Sequence, residues 1–388
     1  MPLRYAAVRH GVRSLWLALL LVLATAAYAV AADADKKALA PEVERNLDAL
    51  LGAVNRAGQL PAPAELAPLL DFAFRPASET AKLTPAKRDA GLGAYARDTI
   101  RAPLERIIRY CYDPEIPAEA IYPSSLRRGY WLKGSEITQQ KVPLWERLRA
   151  LDEPVVVRGA EYEEITPDTF SGCYYAYTLD RLLILTRHEG RALLISVSRQ
   201  QGPSNVGHKA AIVGDDTNWE YVYTKTPGGT ARSIGWMDTY MYDSATVTVF
   251  FEESPGSATT GYAMFKWLKA GWADLNVVQP AHILSGAARC LVTFKQLMES
   301  AKLPAAEDIV ATRRALAAKT EQELRASLLG YSTQLAAIGQ SDSILSRDEF
   351  WKLIKDGGYA QTLSQPEMLS TLMKNFIKQR IGKTVLGQ

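Results

Sequence analysis

The sequence predicts an α+β protein in which an antiparallel sheet packs on a long amphipathic helix, flanked by N-terminal and C-terminal helices. Three observations predict it. Residues 39–56 space their apolar side chains by three and four, residues 154–252 alternate β-branched and aromatic runs with turn signals, and after Pro255 the helical spacing returns as far as residue 382.

At the start of the chain Arg4, Arg9 and Arg13 precede an apolar run from Leu15 to Leu23. The run gives way to the small-residue sites Ala27-Tyr28-Ala29 and Ala29-Val30-Ala31. This order of charge, apolar core and small residues is what a signal peptidase reads, and the run falls short of the ~20 residues a membrane span needs. Residues 1–32 are therefore expected to be a cleaved signal peptide, leaving a periplasmic or extracellular protein without a transmembrane span.

Leu39, Val43, Leu47, Leu50, Leu51 and Val54 then share one helical face, which Gly58 and the prolines Pro61, Pro63 and Pro68 bring to an end. A further helix is expected from Ala94 to Tyr110. Between 111 and 140 the basic, aromatic segment Arg127-Arg128-Gly129-Tyr130-Trp131 has no clear period and reads as a connecting loop, followed by a short helix at 143–151. The strand signals come next, in Val155–Val157, Tyr174–Tyr177, Leu182–Thr186 and Leu193–Val197. His188-Glu189-Gly190-Arg191 and Gly214–Asn218 are hairpin turns between such runs, so the sheet should be antiparallel.

The last strand is expected at Thr246–Glu252, with Val247, Val249 and Phe251 on one face and Thr248, Phe250 and Glu252 on the other. A short helical insertion over 261–275 is read from Met264, Trp267, Leu268, Gly271 and Trp272. The long helix follows, with Ile283, Ala287, Cys290, Leu291, Phe294, Leu297 and Met298 on one stripe. The expected organisation is thus a signal peptide (1–32), an N-terminal helical region (33–150), a sheet with its long helix (151–303) and a C-terminal helical region (304–388).

Loss of Arg4, Arg9 and Arg13 takes the basic count from 45 to 42, level with the 42 acids. A near-neutral chain whose Arg127-Arg128 and Arg313-Arg314 pairs are isolated lacks the basic stripe of a nucleic-acid binder, so no nucleic acid is expected as a partner. Cys111, Cys173 and Cys290 are far apart and allow three choices of a single pair, among which the sequence does not choose. Buried thiols are the simpler reading. Without C-x-x-C, H-E-x-x-H or clustered histidines, neither a metal nor a cofactor is expected.

For catalysis the weak candidate is His208, which follows the flexible stretch Gln201–Gly207. Ser204, His208 and Asp215 or Asp216 offer a nucleophile, a base and an orienting acid, although Ser204 has no G-x-S-x-G elbow around it. His188 in its hairpin and His282 at the head of a helix read as surface and capping residues. Gly228-Gly229-Thr230 lacks the rest of a phosphate loop, and the acidic stretch Glu161, Glu163, Glu164 and Asp168 lacks calcium-loop spacing and reads as a solvated turn.

Aromatic residues are the enrichment that stands out. Trp219, Tyr221 and Tyr223 fall on one face of a strand by period two, and Tyr175, Trp236, Phe251 and Phe294 lie on or beside the strands and the long helix. Rings with an apolar body and a polar tip suit an amphipathic ligand, and these seven residues are the candidate ligand-binding set.

The order of elements from 154 to 300, successive antiparallel strands and then a long amphipathic helix, resembles the helix-grip layout of START-like and polyketide-cyclase-like proteins. The resemblance covers under half the chain and rests on element order. It implies a curved sheet wrapped around the helix at 283–298, with a cavity between them for lipids or other apolar molecules. The extra stretch at 261–275 and about 80 further helical residues depart from that layout. The leading expectation is a soluble exported protein binding an apolar or amphipathic small molecule. The alternatives are an envelope factor whose helical tail docks a protein partner, with a filled core and an exposed apolar patch on 305–382, and a hydrolase built around His208.

Overall fold

A computed structural model describes residues 37–54, 60–89, 91–168, 171–228 and 237–387. The expected signal peptide (1–32), Trp236 and the pair Gly229-Thr230 lie outside the described residues. The protein is α+β. Helices α1 (Pro41–Ala53) and α2 (Ala67–Phe74) lead into strand β1 (Leu92–Ile100), helix α3 (Leu104–Tyr112) and strand β2 (Leu126–Trp131). Strands β3 (Val155–Ile165), β4 (Ala176–His188) and β5 (Arg191–Gln200) follow, then β6 (His208–Ile212) and β7 (Tyr221–Pro227), and finally β8 (Tyr240–Glu252), β9 (Thr260–Gly271) and helix α4 (Pro280–Met298).

Seven strands form one antiparallel sheet in the order β1-β9-β8-β5-β4-β3-β2. The turn joining β4 to β5 is the hairpin the sequence predicts: Glu189 and Gly190 both take positive φ, at 49° and 77°, and His188 pairs with Arg191. Two successive left-handed residues give the loop a twist that matches the flanking strands.

Three sequence expectations are corrected. Residues 92–100 are not helical but form an edge strand, paired with β9 from Ile100↔Thr260 to Leu92↔Leu268, and the helix begins only after Pro103. The segment at 126–131 is not a loop but the other edge strand, paired with β3. The stretch 261–275 is not a helical insertion, because Thr260–Gly271 pairs along its length with β8. One physical reason covers the first and third. Both strands bury side chains on both faces, so apolar residues fall at successive positions and mimic helical spacing, while the ladder that decides the matter comes from a distant part of the chain. The sheet therefore takes two strands from the region 33–150, and Thr246–Glu252 is part of its second-last strand in chain order.

On the outer face, α1 and α2 pack through Leu47, Leu50, Leu69 and Phe72 against Tyr95, Val247, Val249, Phe251 and Phe265. The approach is close where β9 passes β8: a Cβ on Gly261 would fall 2.3 Å from the Phe251 ring. Gly261→Ala is expected to lower folding stability by about 1–3 kcal/mol through overpacking. A urea midpoint unchanged within error would show that this ring is free to move.

On the inner face, the C-terminal half of α4 joins the core through Phe294, Leu297 and Met298, with Ile107, Ile108, Leu183, Leu185 and Leu194. Residues 201–239 leave the main sheet between β5 and β8. There β6 and β7 form a small antiparallel sheet with Cys173–Tyr174. Helices α5 (Ala306–Ala317), α6 (Glu321–Ser327), α7 (Leu329–Gly339), α8 (Asp348–Ile354) and α9 (Gln365–Ile381) follow α4. Leu324, Leu328, Leu335 and Phe350 from this region share a core with Ala211, Val213 and Val222 of the small sheet. Buried ion pairs tie α9 to both sheets: Lys378 of α9 holds Glu220, and Arg127 of β2 bridges Glu164 of β3 and Glu367 of α9.

Among the described residues, no helix is long and apolar enough to cross a membrane.

Candidate functional site

A cavity of about 1420 Å³ lies between the inner face of the seven-stranded sheet and α4 and extends to the small sheet and the C-terminal region, where Ala211, Ile212, Ile344 and Leu369 line it. Drug-sized ligand sites usually span about 300–1,000 Å³, so this space admits a larger molecule. Its floor follows from strand alternation. In β9 the even positions Tyr262, Met264, Lys266 and Leu268 face the cavity, and in β8 so do Thr246, Thr248 and Phe250. Its roof is the α4 stripe Ile283, Ala287, Cys290, Leu291 and Phe294, with Cys111 and Tyr112 of α3 and Tyr122 at one side.

Chemically the cavity has apolar ends and a polar belt. One end is lined by Phe250, Tyr262 and Phe294, whose ring stacks on Tyr122 with centroids 5.1 Å apart. The other end is lined by Leu268, Ala270, Met241 and Tyr175. Across the middle, cross-strand register sets Lys266, Thr246, Ser198 and Arg181 in a row. Arg181 pairs with Glu161 at 2.6 Å, lies 3.7 Å from Glu163 and donates to Ser196 Oγ at 3.1 Å. Tyr177 donates its hydroxyl to Glu163 at 2.8 Å. The expected solvated turn is thus corrected: Glu161 and Glu163 lie in β3 and line the cavity, and Glu164 is buried against Arg127.

Burial raises the Glu161 carboxyl above its ordinary range, against the pull of Arg181, and lowers the Lys266 amine, against the pull of Glu163. Lys266 Nζ donates to Ser244 Oγ at 3.3 Å and Thr246 Oγ1 at 3.2 Å. No carboxylate among the described residues comes within ion-pairing distance of it. The two thiols on the cavity wall are unpaired. Burial pushes Cys111 up to about 12, although Tyr122 donates a hydrogen bond to its sulfur at 3.1 Å, and burial raises Cys290 as well. Thiols held this far from the thiolate are poor nucleophiles.

The aromatic candidates divide. Tyr175 and Phe294 line the cavity, with Tyr175 donating its hydroxyl to Thr239 Oγ1 at 3.0 Å. Phe251 does not, because alternation along β8 turns it to the outer face, where it packs on Phe74 with ring centroids 4.6 Å apart. Trp219, Tyr221 and Tyr223 do not share a strand face on the main sheet. Trp219 precedes β7 in a left-handed conformation (φ 60°), and the three are fixed in the small sheet and its loop. Tyr221 donates to Asp216 at 2.8 Å, and the Arg127 guanidinium lies 4.0 Å above the Tyr223 ring.

The residues considered for hydrolysis do not assemble either. Ser204 Oγ donates to the Asn205 carbonyl at 2.7 Å and accepts from the Met241 amide at 2.9 Å. His208 pairs in the small sheet against the Tyr174 ring, its Nδ1 buried without a hydrogen-bond partner among the described residues, and burial lowers its pKa. Asp215 caps the Thr217 amide, while Asp216 is spent on Arg289 of α4. In the C-terminal region, Leu329 is the single exposed large apolar side chain among the described residues of 305–382.

Lys266 and Arg181 were absent from the sequence-level candidates. One basic residue in an apolar strand gives no pattern, and the available signal was the alternation of Glu161 with Glu163, once 155–165 is taken as a strand.

Comparison of the chain with protein-family models, with curated proteins and with solved structures gave no match.

Proposed function

We propose that this is an exported protein that binds an apolar or amphipathic small molecule, such as a lipid, between its seven-stranded sheet and α4, in the manner of helix-grip proteins. The observation that carries the reading is the cavity of about 1420 Å³, roofed by the apolar stripe of α4 and floored by the inner face of the sheet. An open cavity that large leaves apolar wall in contact with water, a cost that an apolar guest offsets. Support also comes from the packing of α4 on β1 and β9 at one side of the sheet, and from a polar belt between apolar ends, which suits a ligand of mixed character. A protein-docking role for the tail draws less support, since its large apolar side chains other than Leu329 are turned inward.

The test is native mass spectrometry of the protein taken from the periplasm, with solvent extraction of any adduct. A 1:1 apolar adduct is expected, lost in Ala287→Trp, where an indole on the cavity side of α4 occupies the space. A bare polypeptide mass that stays bare after incubation with envelope lipids overturns the reading.

A further inference from the structure

We infer that the ligand carries a carboxylate, and that Lys266 is the residue that binds it. The inference rests on the cavity reading and names the chemical class of its occupant.

Ions inside proteins are paired, because an unpaired one forfeits its hydration for nothing. In the polar belt that rule is met for Arg181, which has Glu161 at 2.6 Å, and for Glu163, which accepts from Tyr177 and lies 3.7 Å from Arg181. Lys266 stands apart. It lines the cavity midway along β9, and its hydrogen-bond partners are two hydroxyls, those of Ser244 and Thr246. An ammonium has three donors, so one N–H remains to be directed into the cavity.

The hydroxyls extend the argument. Each accepts from Nζ through its oxygen, so its own hydrogen is left to point elsewhere and can be donated to an anion seated beside the ammonium. Thr248, one step further along the same face of β8, adds its hydroxyl to that of Thr246 on the cavity wall. One cation flanked by hydroxyl donors suits a head of single negative charge with two oxygens, which is a carboxylate. In the belt the remaining cation, Arg181, is paired with Glu161, so a dianionic phosphate would bring a second charge without a partner there, and Glu163 would oppose two charges more strongly than one. With its head at Lys266, the apolar body of the ligand lies along either apolar end of the cavity. Burial lowers the basicity of the Lys266 amine, and a carboxylate seated beside the ammonium would raise it again.

The test compares palmitate with its methyl ester by isothermal titration at pH 7, on wild-type protein and on Lys266→Met and Lys266→Arg. A charge-assisted hydrogen bond distinguishes acid from ester, so palmitate is expected to bind wild type at least roughly tenfold more tightly than the ester. The acid-to-ester ratio is expected to fall toward one in Lys266→Met and to persist in Lys266→Arg. Equal affinity of acid and ester for wild type, which needs no variant to fold, overturns the carboxylate assignment and leaves the apolar cavity standing. Binding of neither molecule overturns both. A ratio that survives in Lys266→Met removes Lys266 as the anchor.

Discussion

Glu220→Ala is expected to lower the folding free energy by about 3–5 kcal/mol, one of the largest effects available to a single substitution outside the hydrophobic core. The Lys378 side chain is 1% exposed and that of Glu220 6%, and the two are in direct contact. Removing the carboxylate leaves an ammonium enclosed by α9 and the small sheet with no water to replace the lost partner. The double variant Glu220→Ala with Lys378→Met should recover most of the loss, because replacing both ions with apolar groups removes the stranded charge as well as the pair. Urea unfolding of the three proteins decides it, read as midpoint shifts at constant slope. A shift of under 1 kcal/mol in the single variant would mean that Lys378 reaches solvent, and that the C-terminal helices are held to the small sheet by their apolar contacts, the Lys209–Glu349 pair and the Tyr359 hydroxyl.

The second large effect separates the two faces of one strand. Phe251→Ala is expected to cost about 3–5 kcal/mol, since it empties the space of a fully buried ring under α2 and beside Phe74. Ligand binding in the surviving folded protein should be unchanged, because the neighbouring Phe250 turns to the cavity side and Phe251 does not. Loss of binding in Phe251→Ala at a temperature where the variant is folded would contradict the assignment of faces.

That assignment marks the boundary of what the residues alone disclose. The alternation of Val247, Val249 and Phe251 against Thr248 and Phe250 is plain in the sequence, and it does place two sets of side chains on two faces. Which face looks into the cavity is not local information. Both faces are covered, one by α1 and α2 and the other by α4, and apolar residues serve equally well against either. The same double burial concealed β1 and β9, whose pairing joins residues more than 150 positions apart. The Glu189-Gly190 hairpin and the long helix at 280–298 were legible because their causes are local: two left-handed residues in the one, a continuous stripe in the other.

Charged residues follow the same logic. Glu161 and Glu163 read as a solvated turn until β4 supplies Arg181, and Lys266 acquires meaning only when the strands beside it prove to offer hydroxyls rather than carboxylates. Nearness along the chain was equally misleading for Ser204, His208, Asp215 and Asp216, which end among backbone amides and carbonyls, the Tyr174 ring and Arg289 instead of together.

The proposed apolar site between the sheet and α4 is tested most directly by titrating delipidated protein with the neutral fluorophore N-phenyl-1-naphthylamine, excited through Trp131 and Trp272 on the cavity wall. Saturable 1:1 uptake with energy transfer from tryptophan is expected, abolished in Ala287→Trp and retained in Phe251→Ala. A linear, non-saturating signal, or one indifferent to the indole placed under α4, would contradict it.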